Sequence, residues 1–340
     1  MYEYIKKLIQ GEDLTVEEAA AAMDAIMSGI ATDTQIGSYL TALRMKGETV
    51  AEITGSARGM REKCVRFKGE GDLLDIVGTG GDCSNTFNVS TVSAIVVASA
   101  GVAIAKHGNR SVSSKCGSAD VLEALGAKLE LTKEQNEKVL RETGICFMFA
   151  PLYHSAMKYV AKSRKEMGVR TIFNILGPLA NPAYANLQVM GVYAEELVEP
   201  MARVLSNLGI KRAMVVYGED GIDEVSICSK TKVSEIREGC IKNYLIDPVD
   251  LGLCLAKPEE IKGGGPEENK EIALAILKGE KGAKRDMVII NSAVALYIAL
   301  ENKTLRECVE LATEMIDTGK ALRKLEAFIE ATHRLGEVAI

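Results

Sequence analysis

Histidine is scarce in this sequence of 340 residues, and only His107, His154 and His333 occur. None of them belongs to a recognisable Ser/His/Asp or Cys/His set, so the sequence gives no sign of a nucleophilic triad. The eight cysteines include no Cys-x-x-Cys pair and no histidine at metal-ligand spacing. This argues against a structural zinc site and favours free thiols in a reducing compartment. We therefore expect chemistry without a covalent enzyme intermediate.

The sequence also lacks an excess of positive charge and a long apolar run. Its formal net charge is −6, which disfavours a general nucleic-acid or anionic-membrane binder, although a local basic site stays open. No stretch reaches the roughly 18 apolar residues of a membrane span, and the first residues contain no apolar core of signal-peptide length. We expect a cytoplasmic protein without a nucleic-acid or membrane partner.

The first 65 residues predict an all-helical unit. Three threonines are each followed three positions later by Glu or Gln, which is the capping-box pattern of a helix start. The pairs are Thr15 with Glu18, Thr32 with Gln35, and Thr49 with Glu52. The helices are short and rich in Ala and Met, so they need another surface to pack against. That surface is either a second copy of the chain or the rest of the same chain.

From residue 73 onward the pattern changes to alternating strands and helices, which is typical of an α/β fold. The apolar residues 73–77 and 102–105 predict two buried parallel strands. Between them, residues 92–100 predict a helix, with Asn88 and Ser90 as candidate N-caps. Three later segments predict antiparallel edge strands: residues 225–229, 233–237 and 240–245.

A polar loop follows each of the two buried strands. The first, Gly78-Thr-Gly-Gly-Asp82, can offer backbone N–H groups to an anion, but it fits neither the Walker A nor the dinucleotide pattern. A simple tight turn is its alternative. The second loop carries positive charge on Lys106 and Arg110 and neutral donors on Asn109, Ser113, Ser114 and Ser118. Because open α/β sheets bind ligands at the carboxyl ends of their strands, we predict a phosphorylated ligand.

Three further side chains are candidates for the same site. Asp223 and Glu224 follow another predicted strand, and their hard oxygen atoms suit Mg²⁺ shared with phosphate; an acidic surface turn is the alternative. Arg164, on a predicted helix, is either solvated or a bidentate partner for a carboxylate. Cys83 and Cys116 flank the polar loops, and we interpret them as space-filling residues because no base is placed beside them.

Six motifs, in this order and over nearly the whole chain, resemble those of the anthranilate phosphoribosyltransferase family. They are Gly78-Thr-Gly-Gly-Asp82, Asn88-Val-Ser-Thr91, Lys106-His-Gly-Asn-Arg110, Gly117-Ser-Ala-Asp120, Asn174-Ile-Leu-Gly-Pro-Leu-Ala-Asn-Pro182 and Asp223-Glu224. The resemblance implies an α/β fold like that of nucleoside phosphorylases and phosphoribosyltransferases, in which a small all-helical domain joins a large α/β domain around a central, mostly parallel sheet. The small domain would comprise residues 1–65 with a helical insertion near 153–185, and the large domain residues 70–150 and 186–340.

The resemblance also implies an activity, which is transfer of the phosphoribosyl group of phosphoribosyl pyrophosphate to the amine of anthranilate in tryptophan biosynthesis. Pyrophosphate would leave with the help of Mg²⁺, and the enzyme would be a homodimer joined through its helical domains. The resemblance implies no single catalytic residue. Lys106, Asn109 and Mg²⁺ would instead stabilise the transition state. The phosphoribosyl pyrophosphate site would comprise Gly78, Thr79, Gly81, Asp82, Thr86, Asn88, Ser90, Thr91, Lys106 and Ser118. The anthranilate site would comprise Gly78, His107, Asn109, Arg164 and Gly177, and the metal ligands would be Ser90, Asp223 and Glu224.

The sequence departs from the family pattern at a few positions. Cys83 stands where the family commonly has glycine, Ser155 replaces a usual proline, and Lys162-Ser163 replaces a usual Pro-Val before Arg164. We expect these changes to alter the first polar loop and the helix that carries Arg164. A nucleoside phosphorylase-like enzyme and a non-catalytic nucleic-acid-binding relative of the same fold are the alternatives, and the intact loops and the acidic net charge disfavour both.

Overall fold

The computed structural model describes residues 1–111 and 115–337. Its N-terminal unit contains four helices, α1 (Tyr2–Ile9), α2 (Val16–Met27), α3 (Asp33–Lys46) and α4 (Val50–Glu62). At α2, α3 and α4 the N-cap threonine accepts a hydrogen bond from the backbone N–H of the third helical residue, whose side chain accepts one from the cap. The three predicted capping boxes, and the helical prediction for this unit, are therefore confirmed.

Strands and helices then alternate as the sequence predicts. The elements are β1 (Leu74–Gly78), α5 (Val89–Ser99), β2 (Ile104–Gly108), α6 (Ser118–Ala124), α7 (Lys133–Thr143), β3 (Ile145–Phe149), α8 (Ala150–Tyr153), α9 (Lys158–Met167), α10 (Phe173–Leu176), β4 (Leu187–Gly191), α11 (Val198–Asn207), β5 (Arg212–Gly218), β6 (Thr231–Arg237) and β7 (Cys240–Ile246). Four helices complete the described chain, namely α12 (Pro266–Leu277), α13 (Ala283–Ala299), α14 (Leu305–Asp317) and α15 (Lys320–Gly336).

The strands form one seven-stranded sheet in the order β3-β2-β1-β4-β5-β6-β7. Strands β1 to β5 are parallel, and β6 and β7 add an antiparallel edge. The chain runs outward from β1 through β2 to β3 and then returns to β4 on the other side of β1. The strand order therefore reverses between β1 and β4. The expected class, a helical unit joined to an α/β unit with a mostly parallel sheet, is confirmed.

The predicted strand at residues 225–229 is wrong. The hydroxyl of Ser226 accepts hydrogen bonds from the backbone N–H groups of Cys228 and Ser229, at 2.9 and 3.1 Å, and Ser226 N donates to Thr231 Oγ1 at 2.9 Å. These bonds to side chains engage backbone groups that a sheet ladder would need, so the segment forms turns before β6.

The helix after β1 starts three positions before the predicted residue 92, and of its two candidate N-caps Asn88 occupies the N-cap position. Helix α5 begins at Val89, which places Ser90 in its first turn. Asn88 occupies the N-cap position but makes no capping bond, because its side chain donates to Cys116 O at 3.1 Å and accepts from Asn269 Nδ2 at 2.9 Å. Asn88 therefore ties the first polar loop to the second loop and to α12.

Two large apolar clusters lie on opposite faces of the sheet. Alternate residues of β4 belong to different clusters, with Val189 in one and Met190 in the other, as expected of a strand covered on both faces. The cluster on one face contains side chains from α5, α13, α14 and α15. The cluster on the other face is continuous from the N-terminal helices through α9 and α10 to α11. None of the described helices has the length and apolar character needed to cross a membrane.

Candidate active site

Asp223 fills the crevice where the strand order reverses. Neighbouring loops diverge at such a reversal, which leaves room for a ligand at the carboxyl ends of the strands. Gly78 ends β1 and Gly191 ends β4. A Cβ atom on Gly78 would lie 2.3 Å from Asp223 Oδ2, and one on Gly191 would lie 1.6 Å from the Asp223 backbone oxygen. Both strands must end in glycine for the loop after β5 to enter the crevice.

The loop after β1 folds around the Asp223 carboxylate. Gly80 N donates to Asp223 Oδ2 at 2.7 Å, and Asp223 N donates to Asp82 Oδ2 at 3.4 Å. Asp82 Oδ1 also accepts a hydrogen bond from Ser84 N at 3.2 Å. The turn requires left-handed backbone angles, with φ of 66° at Gly80 and 61° at Cys83. Cys83 therefore carries a backbone strain that a glycine would avoid.

The N-terminus of α5 brings a lysine and a second carboxylate together. Ser90 N donates to Glu224 Oε1 at 3.2 Å, and Ser90 Oγ accepts a hydrogen bond from Lys106 Nζ, also at 3.2 Å. Lys106 extends from β2 and donates in addition to the carbonyl oxygen of Ile76 on β1. The positive end of the helix dipole favours a carboxylate at this position. Ser90 thus links the ammonium of Lys106 to the acidic pair.

Burial dominates the protonation of these charged groups. It raises the pKa of Asp223 to about 7, and the charge of Asp82 adds to the shift. Burial also raises the pKa of Glu224 well above its ordinary value, with Asp223 as the next cause. The pKa of Lys106 is lowered by burial, against the opposing effects of Asp75 and Glu224. The charged forms of both carboxylates are therefore disfavoured in the absence of a further positive charge.

The donor set of the crevice fits a magnesium ion. In the part of the chain that the structure describes, no three or more His, Cys, Asp or Glu side chains form a ready-made metal cluster. Asp223, Glu224 and the hydroxyl of Ser90 form a smaller set of hard oxygen atoms. Such a set suits Mg²⁺, which keeps several waters and is commonly shared with substrate phosphates. A cation would also stabilise the charged forms of both carboxylates.

The second polar loop folds back onto the start of α6. Asn109 O accepts hydrogen bonds from Ser118 Oγ at 3.3 Å and from Ala119 N at 3.2 Å. These bonds place Asn109 and Ser118 side by side at the carboxyl end of β2. The predicted donors Ser113 and Ser114 lie outside the described residues.

Arg110 does not supply the free positive charge that its position in the second loop predicts. Its guanidinium pairs with Asp120 Oδ1 at 3.1 Å and with Glu123 Oε2 at 2.7 Å, both from α6. The same group lies 5.5 Å from the ring centroid of Phe149. That part of the prediction is wrong, because carboxylates at the third and sixth positions of the next helix neutralise the arginine.

The other residues implied for the phosphoribosyl pyrophosphate site lie at different depths. Thr86 forms an isolated β-bridge with Lys262, which holds the far end of the first loop. Asn88 is already engaged by backbone and side-chain partners, as described above. Thr91 is only 2% exposed, and its hydroxyl has no hydrogen-bond partner among the described residues. Thr91 therefore lies beneath the crevice, one helical position after Ser90.

His107 and His154 form a buried pair with ring centroids 5.0 Å apart. The pKa of His107 is lowered to about 3, mainly by burial and to a lesser extent by His154, against the opposing effect of the Gly177 backbone. Burial lowers the pKa of His154 to about 4. Both imidazoles are therefore neutral at pH 7. Within the described chain, Nε2 of each ring lacks a hydrogen-bond partner. Each of these two nitrogen atoms can therefore form a hydrogen bond with a ligand.

Arg164 lies near the end of α9, and its guanidinium carbon is 5.2 Å from the ring centroid of Phe173. Burial lowers its pKa, and no neighbouring charge of the described residues contributes to that shift. A partly buried guanidinium without an anionic partner suits the carboxylate of a ligand, which it can contact through two parallel hydrogen bonds. The helix itself is continuous through Lys162-Ser163.

Sequence reasoning missed three residues of this region. Asn181 Nδ2 donates to the buried carboxylate of Asp75 at 2.7 Å. Arg170 donates to the carbonyl oxygen of Gly81, and its guanidinium carbon lies 4.3 Å from the ring centroid of Tyr193. Asn181 belongs to the motif Asn174–Pro182, so the sequence contained a signal for its role. Arg170 and Tyr193 had none, because only the fold brings them beside the first loop.

Two family models together match most of the chain. The model described as the helical bundle domain of a glycosyl transferase family matches residues 2–64, and the model described as the a/b domain of a glycosyl transferase family matches residues 70–322. Among curated proteins, the chain is 55% identical over 335 residues to the anthranilate phosphoribosyltransferase of Ruminiclostridium cellulolyticum, and the alignment covers 98% of each chain.

Two relatives of known structure share the fold. The crystal structure of anthranilate phosphoribosyltransferase from Thermus thermophilus is 44% identical, with a TM-score of 0.92 over 97% of this chain and 99% of the relative. The Saccharomyces cerevisiae enzyme in complex with phosphoribosyl pyrophosphate and Mg is 31% identical, with a TM-score of 0.91 over 98% of each chain. The same yeast enzyme with 4-fluoroanthranilate is 30% identical, with a TM-score of 0.89 over 98% of this chain and 97% of the relative.

The neutral histidine pair makes the stability of the fold dependent on pH. Unfolded histidines, with a pKa of about 6.5, take up protons on acidification that folded His107 and His154 do not take up until pH 4 or below. The contribution of these two histidines to the free energy of unfolding should therefore fall between pH 7 and pH 5, by about 2 kcal/mol for each. Asp223 and Asp75, whose folded pKa values are raised to about 7 and about 6, contribute in the opposite direction, so the histidine contribution is read from a comparison with a variant. Urea unfolding followed by circular dichroism at several pH values measures this loss.

The matched comparison uses His107→Asn with His154→Asn and, as a control, His333→Asn at an exposed position. From pH 7 to pH 5 the free energy of unfolding of the double variant should rise relative to that of the unsubstituted protein, whereas the control should follow the unsubstituted protein. Equal dependence in all three proteins would contradict a buried, neutral pair.

Proposed function

The chain belongs to the anthranilate phosphoribosyltransferase family, and we propose that the crevice between β1 and β4 is its active site. The enzyme transfers the phosphoribosyl group of phosphoribosyl pyrophosphate to the amine of anthranilate in tryptophan biosynthesis. The observation that carries the site assignment is the acidic pair at the reversal of strand order, in which Asp223 is buried and Glu224 half-buried beside a lysine and backbone donors. A divalent cation would match the two carboxylates, and a diphosphate would match the lysine and the backbone donors.

Mg²⁺ would be held by Asp223, Glu224 and Ser90. All three offer oxygen atoms, and the raised pKa of each carboxylate reflects a charge that burial disfavours and a cation would stabilise. When bound, the ion stabilises the negative charge that develops on the pyrophosphate leaving group. The yeast relative solved with phosphoribosyl pyrophosphate and Mg supports this assignment.

Phosphoribosyl pyrophosphate would occupy the loops after β1 and β2. The absence of a side chain at Gly80 and Gly81 lets a diphosphate approach backbone N–H groups closely. Lys106 would supply a positive charge, and binding of an anion would offset the burial that now lowers its pKa. The residues assigned to this substrate are Gly78, Thr79, Gly81, Asp82, Thr86, Asn88, Ser90, Thr91, Lys106 and Ser118.

Anthranilate would bind on the side of the crevice formed by the insertion. Arg164 would contact its carboxylate, because the guanidinium has no anionic partner of its own in the described chain. His107, Asn109, Gly177 and Gly78 would orient the ring and the amine. The neutral imidazole of His107 suits this position because it adds no positive charge beside the sugar. The yeast relative with 4-fluoroanthranilate supports a site for such an acceptor.

The chemistry requires stabilisation of charge separation more than a strong base. Breaking the anomeric C–O bond builds positive charge on the ribose ring and negative charge on pyrophosphate, so fixed donors aimed at the leaving group lower the barrier. Lys106 and Asn109 would contribute to this stabilisation at the carboxyl end of β2. The aromatic amine is already neutral at pH 7 and attacks once it is oriented. This explains why no catalytic triad is needed.

Two domains joined by a hinge fit an enzyme that binds its two substrates at separate parts of one crevice. The small domain would comprise residues 1–65 with the insertion near 153–185, and the large domain residues 70–150 and 186–340. Closure of one on the other would exclude water, whose attack would waste the activated sugar. Supporting this, the insertion shares its apolar core with the N-terminal helices. That core also includes α11. The cleft between the two domains would therefore open around α11 or beside it.

A cytoplasmic location fits the chemistry of the cysteines, since none of the eight forms a disulfide bond. Of the two alternative functions, a nucleoside phosphorylase would share the fold and also cleave at the anomeric carbon. The acidic pair Asp223 and Glu224 favours a pyrophosphate leaving group with a metal ion instead. A nucleic-acid-binding role finds no support in the net charge of −6.

Replacing the acidic pair tests the metal site. Asp223→Asn with Glu224→Gln should abolish release of pyrophosphate, because the amides keep the shape of the side chains but lose the negative charge that holds Mg²⁺. Pyrophosphate release is measured at saturating substrates, and thermal unfolding is measured alongside it. The fold should survive, since both carboxylates are disfavoured by burial. Normal turnover would remove these residues from the metal site.

Replacing Arg164 tests the acceptor site. Arg164→Ala should raise the KM for anthranilate by tenfold or more, as expected for loss of a charge-assisted contact of about 1.5 to 3 kcal/mol, and should leave the KM for phosphoribosyl pyrophosphate nearly unchanged. Steady-state kinetics with each substrate varied in turn gives both constants. The exposed Arg203 offers a control, as Arg203→Ala removes a guanidinium paired only with Glu199 in the described chain. An equal rise in both constants would contradict the carboxylate role of Arg164.

The helical unit is proposed to join two copies of the chain. Several of its apolar side chains are exposed, among them Met45 at 83% and Ile9 at 73%, and such side chains are commonly covered by a partner. The protein should sediment as a dimer, and Ile9→Glu with Met45→Glu should shift it toward the monomer. Leu255→Glu, at another exposed apolar residue, should leave the dimer intact. A monomer at micromolar concentration of the unsubstituted protein would overturn the proposal.

A further inference from the structure

Arg170 connects the insertion to the loop after β1. It lies between α9 and α10, and its side chain is exposed. Its Nη2 donates to the carbonyl oxygen of Gly81, 89 positions earlier in the chain. The bond joins a charged donor to a backbone acceptor, and such bonds are stronger than those between neutral groups. The described residues place no carboxylate in an ion pair with Arg170, so its charge is free to act on this loop and on what the loop binds.

Tyr193 keeps the guanidinium of Arg170 in place. The guanidinium carbon lies 4.3 Å from the centre of the tyrosine ring, within the range of a cation–π contact. Tyr193 is itself fixed to the first residue of the loop, because Tyr193 N donates to Thr79 Oγ1 at 3.0 Å. Thr79 N in turn donates to Gly191 O, also at 3.0 Å. Arg170 therefore rests on a platform built from the ends of β1 and β4.

The contact fixes the direction of a backbone donor. In a trans peptide the C=O and the following N–H point in opposite directions. When Arg170 holds the carbonyl of Gly81, the N–H of Asp82 must point away from the arginine. Gly81 has φ of 77° and no side chain to restrain it, so without an external contact this peptide can rotate freely. Arg170 removes that freedom.

We propose that Arg170 is a positioning residue for phosphoribosyl pyrophosphate, which holds the Gly81–Asp82 peptide of the loop after β1 in its anion-binding orientation. This inference rests on the proposed function. It adds a residue of the insertion to the part of the site that grips the sugar donor, whereas Arg164 of the same insertion serves the acceptor. The two arginines would then give the insertion a separate contact with each substrate.

The test compares Arg170→Ala, Arg170→Lys and a matched control, Arg58→Ala. Arg58 is also exposed, and its Nη2 donates to a backbone carbonyl, that of Asn207, at 3.2 Å, but it lies away from the loop. Arg170→Ala should raise the KM for phosphoribosyl pyrophosphate about tenfold, the usual effect of losing one charge-assisted hydrogen bond. The KM for anthranilate should change less than twofold. Arg58→Ala should leave both constants unchanged.

Arg170→Lys distinguishes positioning from simple support of the fold. A lysine can still donate to Gly81 O but cannot stack its planar group on Tyr193, so it should recover part of the affinity for the donor substrate. Isothermal titration of phosphoribosyl pyrophosphate with Mg²⁺ should show the same ranking without turnover. An unchanged constant for the donor in Arg170→Ala, or an equal rise in both constants, would overturn the inference.

Failure of this inference can be told apart from failure of the proposed function. If the unsubstituted protein releases pyrophosphate in the presence of anthranilate while Arg170→Ala behaves identically, only the role of Arg170 is wrong. If the unsubstituted protein neither binds phosphoribosyl pyrophosphate nor releases pyrophosphate, the proposed function fails, and the role of Arg170 fails with it.

Discussion

Two adjacent carboxylates at the reversal of strand order, Asp223 buried and Glu224 half-buried, are the constraint on which the rest of the site depends. Removing a carboxylate from water costs several kcal/mol unless charge and hydrogen bonds compensate for it. Asp223 and Glu224 each accept a hydrogen bond from a backbone N–H group. The lack of a side chain at Gly78 and Gly191 leaves room for Asp223. The raised pKa of each carboxylate shows that this compensation is incomplete. A bound cation would complete it.

The two sides of the crevice differ in their electrostatics, and the difference suits the two substrates. The side formed by the loops after β1 and β2 and by the acidic pair is charged and rich in donors. The other side contains the neutral pair of His107, at the end of β2, and His154, together with the guanidinium of Arg164, which has no anionic partner among the described residues. A leaving group that gains negative charge needs the first environment. A neutral aromatic amine that must be oriented through its carboxylate needs the second.

Local signals in the sequence predicted local structure well, whereas contacts between distant segments could not be predicted. The capping boxes are confirmed because each depends on two residues three positions apart. The strand at residues 225–229 was wrongly predicted because the Ser226 hydroxyl competes for backbone groups, and alternation alone does not reveal this. Arg110 was expected to face a ligand, but helix α6 supplies its partners. The contact between Arg170 and Gly81 spans 89 positions and exists only after folding.

The most direct test of the central claim is the stoichiometry of the reaction with the purified protein. Anthranilate is followed by its fluorescence with and without phosphoribosyl pyrophosphate and Mg²⁺, while released pyrophosphate is measured in parallel. The account predicts that anthranilate disappears only when both are added, and that one pyrophosphate appears for each anthranilate consumed. Folded protein that consumes no anthranilate, or that releases pyrophosphate without consuming it, would contradict the account.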